Sequence, residues 1–453
     1  MTRSRICILG LWHQGTVQAA CFSEMGHEVV GVDSDPRLIE SLNSAIPAVD
    51  EPKLNRLLRK HLAAGNLRFT TDYKQALHEA DFAYIAIDTP IDEEDCPVLD
   101  TVFEAAESIG AHRTGALIVC VTAQVPVGTC ERLLKIVRDR SPDYDCNVAY
   151  IPEFLRLGAA VDAFRQADRF VIGANDPGVA VRVQALYEPL GRNILLTNLC
   201  TAEMAKHASN AFLATSVSFI NELADLCDQV GADALAVAAA MKLDRRIGRQ
   251  AFLESGLGFA GGTLGRDLRA LQQLASPLGL RTAILDAVIA VNARRREIVN
   301  RRLLQIYGAL TNLQIGIVGL TYKLGTSTLR RSLSLELIRD LHSKGAKLKA
   351  YDPYASLDEL NRMPLPQFEL CADVYQLAKD VDALVLMTAY PELKNADLSR
   401  LCSLMRRPVF VDARNMFEPA VMAKIGFSYS GIGRGTQLQS HAEADALAIQ
   451  ERQ

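Results

Sequence analysis

The sequence predicts an α/β chain with two doubly wound sheets joined by a long central helix, and three stretches predict it. The first begins with Arg5-Ile6-Cys7-Ile8-Leu9, a short apolar strand. Gly10-Leu11-Trp12-His13-Gln14-Gly15, a helical run over Thr16 to Met25, and a second strand, His27 to Val32, follow and end at Asp33. Strand, glycine turn, helix, strand and acidic residue is the order of a βαβ unit that binds a dinucleotide. The second stretch echoes the first, with Gln314 to Leu320 as strand and turn and Lys347 to Pro353 as the next strand. The third runs from Thr201 to about Val230, where Leu213, Val217, Ile220, Ala224 and Cys227 recur at helical spacing and predict a packed face. Together they give two Rossmann-like doubly wound domains joined by a long central helix, with the chemistry expected in a cleft between the domains.

The composition agrees. A chain of 453 residues exceeds what one ordinary core organises, so two or three domains are expected. A hydrophobic share of 49%, a charged share of 23% and a net charge of -4 describe a globular protein and argue against a nucleic-acid or membrane surface. No apolar run reaches the roughly 18 residues a membrane span needs. The opening MTRSRICILG leads directly into a strand, which leaves no room for a signal peptide and predicts a cytoplasmic protein. The ten cysteines show neither CxxC nor Cys/His ligand spacing, so they read as reduced, mostly buried residues, and no metal site is expected.

Within the first βαβ unit Asp33 is placed to hold the adenosine ribose hydroxyls, which suggests NAD rather than NADP. Gly10 and Gly15 flank the turn, but Trp12 stands where a glycine normally lets the backbone approach the pyrophosphate. An indole there displaces the phosphates or swings aside. A second glycine-dense loop, Gly256-Leu257-Gly258-Phe259-Ala260-Gly261-Gly262-Thr263-Leu264-Gly265-Arg266-Asp267, runs into a helix marked by Leu264, Leu268, Leu271 and Leu274. Its glycines allow positive φ and close backbone approach, so the loop is built around a ligand. On the central helix, Lys206 and Asn210 lie four residues apart and share one face.

Taken in order, these segments resemble the UDP-glucose/GDP-mannose dehydrogenase family, whose members oxidise the C6 alcohol of a nucleotide sugar to a carboxylate in two NAD-dependent steps through a covalent cysteine. The loop from Gly256 is similar to G-x-G-F-G-G-x-C-x-x-K-D, with Thr263 in place of the cysteine, Arg266 in place of the lysine and Asp267 kept. Leu67 to Asp72 resembles F-T-T-D, and Ala83 to Pro90 resembles A-V-x-T-P. Val119 to Thr129 resembles the S-T-V-P-V-G-T turn with Gln124 for its threonine. Pro152 to Gly158 resembles P-E-F-L-R-E-G, keeping Glu153 but carrying Leu157 for the second glutamate. Lys206 and Asn210 fit A-E-M-x-K-x-x-x-N. Gly319 to Arg330 resembles G-L-x-F-K-x-x-T-D-D-x-R, with Ser327 and Thr328 for the paired aspartates, and Asp412 to Asn415 fits D-x-R-N.

The resemblance implies roles. Lys206 and Asn210 would stabilise the oxyanion at C6, with Glu153, Asp267 and Thr263 completing the catalytic set. Gly10, Trp12, Gly15, Asp33, Thr89, Gln124 and Lys323 would meet NAD. Phe154, Leu155, Gly258, Phe259, Gly261 and Arg330 would meet the nucleotide sugar. The family's usual dimer element is the central helix, so a homodimer is implied. The domains expected are 1–198 for NAD, 199–305 for the central helical region and 306–435 for the nucleotide sugar, with a tail at 436–453 that has no core pattern.

Chemistry divides the possibilities. A threonine hydroxyl needs an adjacent strong base to attack at all, whereas a cysteine, with an ordinary pKa of about 8.5, is partly ionised near neutrality. The covalent route to the acid is therefore not expected. Three readings stay open at this point: an oxidoreductase that removes two electrons, a four-electron enzyme that oxidises the aldehyde hydrate without a covalent intermediate, and a catalytically silent homologue that binds a nucleotide sugar or a partner.

Overall fold

Two sheets form, and each belongs to its own unit. The computed structural model describes residues 3–435 apart from 79, 91, 93–96, 261, 262, 323 and 330. Unit 1 comprises Met1–Ser209 with Arg269–Leu280, and unit 2 comprises Asn210–Leu268 with Arg281 onward.

In unit 1 the strands are β1 (Arg5–Leu9), β2 (Glu28–Val32), β3 (Leu67–Thr70), β4 (Phe82–Ile85), β5 (Leu117–Val121), β6 (Cys146–Tyr150), β7 (Arg169–Ala174) and β8 (Asn193–Thr197). Their order is β3-β2-β1-β4-β5-β6-β7-β8. Pairing is parallel throughout except between β6 and β7, which is antiparallel. Ile6, Cys7, Ile8 and Leu9 are all buried, as expected of a central parallel strand covered on both faces. The helix Gln14–Glu24 is locked over this sheet by Phe22, whose ring lies 5.0 Å from Tyr84, 5.5 Å from Phe164 and 5.7 Å from Tyr187. Truncating such an aromatic to alanine costs about 3–5 kcal/mol. That packing fixes the helix N-terminus at the end of β1, where the sheet order reverses between β1 and β4 and an open α/β sheet binds its ligand.

Unit 2 repeats the plan with β9 (Gln314–Val318), β10 (Lys347–Tyr351), β11 (Glu369–Leu370), β12 (Ala383–Leu386), β13 (Val409–Asp412) and β14 (Ser428–Gly431), all parallel in the order β11-β10-β9-β12-β13-β14. The two doubly wound sheets and the long central helix Leu199–Val230 are the predicted fold.

Three local readings are corrected. The first helix starts at Gln14 rather than Thr16. β2 starts at Glu28 rather than His27, because the His27 ring turns inward and accepts the Ser4 N–H at 3.3 Å. On the central helix Val217, Ile220, Ala224 and Cys227 are buried, but Leu213 is 37% exposed. At that level the buried stripe runs through Asn210, Ala211, Ala214 and Ser218, roughly a third of a turn from Leu213. Part of that stripe is polar, so an apolar pattern does not reveal it. The opposite face exposes Phe212, Phe219, Leu226 and Val230, spaced by seven, seven and four residues. Among the described residues no helix is long and apolar enough to cross a membrane.

Candidate functional site

In unit 1 the turn after β1 is shaped by Gly10, which has φ +88° and approaches so closely that a Cβ would stand 2.7 Å from Ile87 Cγ1. A Cβ on Gly15 would stand 1.8 Å from the Gly10 carbonyl oxygen, so strand and helix meet there only through glycine. Asp33, at the end of β2, accepts the Leu11 N–H on Oδ2 at 2.9 Å and the Asp35 N–H on Oδ1 at 3.1 Å. Each carboxylate oxygen keeps lone-pair capacity for a ribose hydroxyl. Trp12 does not fill the turn. The residue is 52% exposed, and its indole lies 6.3 Å from the His13 ring in an edge arrangement.

Three residues that the sequence did not single out surround this turn. Asp88 accepts the His13 N–H on Oδ2 at 3.3 Å. The His13 ring Nε2 pairs with Glu51 Oε1 at 2.8 Å, and the buried Glu51 also accepts the N–H groups of Gly158 at 2.7 Å and Ala160 at 3.0 Å. Burial lifts the Asp88 carboxyl to about 6; the nearby Glu153 carboxylate adds to the rise, while His13 and the amides of His13 and Gln14 oppose it. The Thr89 hydroxyl donates to the Gln124 carbonyl at 3.0 Å, which ties two of the expected cofactor residues together.

Further along unit 1, Lys206 is buried and donates from Nζ to the Glu153 carbonyl, while the Leu155 N–H donates to the Glu153 carboxylate. Phe154 lies under two cations, Lys206 Nζ and the Arg169 guanidinium, each 4.7 Å from its ring centre. The fully buried Glu203, one turn before Lys206, accepts the N–H groups of Gly128 at 2.6 Å and Cys130 at 2.9 Å. The His207 ring is bonded to the Val125 carbonyl at 2.9 Å. The central helix thus holds the Val125–Cys130 turn with two side chains. The thiol of Cys130 is pushed well up by burial and by Glu203, and that of the exposed Cys200 is also raised, so neither is a thiolate in reserve.

Unit 2 builds the glycine loop. Asn210 donates from its amide to the fully buried Asp267 carboxylate, and the Asp267 N–H donates to the Thr263 carbonyl at 3.3 Å. Gly258 has φ +80°, and a Cβ there would stand 2.3 Å from Asn292 Oδ1. That amide binds Phe259 at both ends, accepting its N–H at 2.8 Å and donating to its carbonyl at 3.0 Å. Asn221 accepts the Gly256 N–H at 2.9 Å, and Arg295, ion-paired with Asp225, donates to the Gly256 carbonyl at 2.7 Å. Tyr322 donates its hydroxyl to the Ala260 carbonyl at 3.1 Å. Thr263 stands exposed at the helix start. Gly261, Lys323 and Arg330 lie outside the described residues, as does the tail from 436.

The second sheet repeats the acid-and-turn device of the first. Asp352, following β10, accepts the N–H groups of Leu320 at 2.6 Å and Thr321 at 2.8 Å on Oδ2, as Asp33 accepts that of Leu11. Ser327 and Thr328, in place of paired carboxylates, sit in a segment tied to Glu359 through the Leu329 N–H at 3.0 Å. Asp412 is fully buried and accepts the N–H groups of Arg414, Met416 and Phe417 and the hydroxyl of Tyr429, a structural role. Among the described residues no group of His, Cys, Asp and Glu is arranged to hold a metal ion.

Comparison with known proteins decides the family. Residues 4–191 match the NAD binding domain of the UDP-glucose/GDP-mannose dehydrogenase family, residues 200–294 its central domain and residues 316–419 its UDP binding domain. The chain belongs to the UDP-glucose/GDP-mannose dehydrogenase family.

Among its relatives, the UDP-glucose 6-dehydrogenase TuaD of Bacillus subtilis is 37% identical over 431 residues, covering 95% of this chain and 93% of that protein. A UDP-glucose 6-dehydrogenase of Pseudomonas aeruginosa is 38% identical over 442 residues, covering 95% and 97%. The solved structure of a UDP-glucose dehydrogenase from Pyrobaculum islandicum superposes with a TM-score of 0.88 at 31% identity, covering 95% of this chain and 98% of that one. Within this dehydrogenase family NAD is the cofactor of the N-terminal domain, and unit 1 fits it: the Gly10 turn, the helix N-terminus and Asp33 stand where a dinucleotide is held. The Asp88 carboxylate is turned against that N-terminus, where it accepts the His13 N–H.

Proposed function

We propose that this family member is an NAD-dependent oxidoreductase acting on a CH–OH group of a nucleotide sugar, and that it removes two electrons and releases a carbonyl product. The observation that carries this reading is Thr263 in the position of the family cysteine. Its loop holds no histidine, and the loop's one carboxylate, Asp267, is buried and engaged by Asn210. A hydroxyl without a base forms no acyl intermediate at a useful rate.

Alcohol oxidation needs less. When bound, NAD accepts the hydride from the carbinol carbon. The chain's part is to orient the alcohol, lower the cost of charge on its oxygen and take its proton. We assign charge stabilisation to Lys206 and Asn210, one helical turn apart, with Asp267 orienting the Asn210 amide. Glu153, whose backbone carbonyl holds Lys206, is assigned to the proton. Phe154, Leu155, Gly258 and Phe259 are assigned to the sugar nucleotide, as are Gly261 and Arg330. Gly10, Trp12, Gly15, Asp33, Thr89, Gln124 and Lys323 are assigned to NAD.

The same reading divides the chain functionally at 1–198, 199–305 and 306–435 and places it in the cytoplasm as a homodimer. The exposed stripe of Phe212, Phe219, Leu226 and Val230 supports self-association, since contiguous apolar residues on a helix face mark interaction sites. Incubation with a panel of nucleotide sugars and NAD, in the presence of a hydrazine that traps carbonyls, tests the reaction. One substrate should give NADH and a trapped aldehyde or ketone, and Thr263→Cys alone should restore little acid, because Leu157 still lacks the carboxylate. Acid from the unmodified chain overturns the two-electron reading, and tight sugar-nucleotide binding without turnover replaces it with a silent homologue.

A further inference from the structure

The helix Gln14–Glu24 begins where a NAD-binding domain receives the dinucleotide's diphosphate, because its first N–H groups have no intrahelical partner and its dipole favours negative charge. In this chain a protein carboxylate already faces that end. Asp88 Oδ2 accepts the His13 N–H at 3.3 Å, and the amides of both His13 and Gln14 favour its ionised form. His13 itself makes no side-chain cap, so the cap comes from Asp88, 75 residues away in the chain. The residues on either side of Asp88 are tied to neighbouring turns. Gln14 Nε2 donates to the Ile87 carbonyl at 3.0 Å, Gly10 packs directly on Ile87, and Thr89 is bonded to Gln124.

We propose that Asp88 is a proton-linked gate on the diphosphate seat: ionised, it engages the amides that the dinucleotide needs and repels its phosphates, and protonated it yields them. This rests on the NAD-dependent reading above and adds its regulation. Among the described residues, the titratable groups that act on Asp88 are His13 in the turn after β1, its ring held by Glu51, and Glu153 in the segment after β6. Lys206 donates to the Glu153 backbone carbonyl, and the Glu153 carboxylate adds to the rise of the Asp88 carboxyl. With burial and Glu153 raising the carboxyl to about 6, Asp88 is mostly ionised at neutral pH in the free protein and takes up a proton as the dinucleotide binds.

Calorimetry of NADH binding to the full chain from pH 5.5 to pH 8.5, in buffers of different ionisation enthalpy, tests the gate without relying on turnover. The unmodified chain should lose about tenfold in affinity per pH unit above about 6 and take up about one proton per NADH near pH 7.5. Asp88→Asn removes the charge, and Asp88→Gly removes charge and seat together. Each should bind NADH at least about tenfold more tightly at pH 8 than the unmodified chain and lose the pH slope. His13→Asn should keep the slope. A flat profile in the unmodified chain, a slope that survives Asp88→Asn, or no tighter binding in either Asp88 variant with unchanged melting would overturn the gate. If the unmodified chain binds NADH with this slope yet oxidises no nucleotide sugar at any pH tested, the gate stands and the oxidoreductase reading falls.

Discussion

Replacing Gly258 by alanine should destabilise unit 2 by about 3 kcal/mol, and the figure follows from two contacts. A non-glycine residue held at φ +80° costs roughly 1–2 kcal/mol. The added Cβ would also stand 2.3 Å from Asn292 Oδ1, so the buried amide must move and strain its two bonds to Phe259, worth about 0.5–1.5 kcal/mol each. At roughly 2–4 °C per kcal/mol for a unit of this size, the unit 2 transition should fall by about 6–12 °C in differential scanning calorimetry. Asn292→Ala alone should cost about 2 kcal/mol from the same two bonds. The double variant should cost about 1–2 kcal/mol less than the sum, because removing the amide also removes the overlap. A Gly258→Ala protein within about 0.5 kcal/mol of the original, or strict additivity in the cycle, would refute the claim that this pair shapes the loop.

Other outcomes follow from single contacts. Phe219→Glu, in the middle of the exposed stripe on the central helix, should convert a dimer into a monomer in light scattering; a monomeric unmodified chain would remove the homodimer reading. Burial lowers the His27 pKa, so below the unfolded value of about 6.5 the unfolded state binds more protons and stability falls as pH drops toward the lowered native value. His27→Gln should flatten that acid-side loss in unit 1, and an unchanged pH dependence of melting would count against it. Trp12 is the chain's only tryptophan and is half exposed beside the NAD turn, so its emission should be quenched as NADH binds; unchanged emission at calorimetric saturation would place the dinucleotide elsewhere.

Both doubly wound sheets were legible because their signals are local: short apolar strands, glycine turns and an acid at the end of the second strand. That Lys206 and Asn210 share one helix was legible for the same reason, through helical spacing. The residues that shape the site were not. Asn292 grips Phe259 from 33 positions away, Glu203 caps Gly128 and Cys130 from more than 70, and Glu51 holds Gly158 and Ala160 from more than 100. Each is a polar residue whose partner is a distant backbone amide, a pairing that leaves no periodic trace. Leu213 shows the converse: apolar spacing predicted burial, while the stripe that is covered at that level includes Asn210 and Ser218.

We propose that this chain, with Thr263 where the family motif carries a cysteine, stops after one hydride. The most direct test counts NADH formed per nucleotide sugar consumed at completion, with the product identified by mass and the intact protein weighed during turnover. One NADH per sugar, a carbonyl product and no covalent adduct are predicted. Two NADH per sugar with a uronic acid, or a protein carrying the mass of an acyl sugar nucleotide, would contradict it.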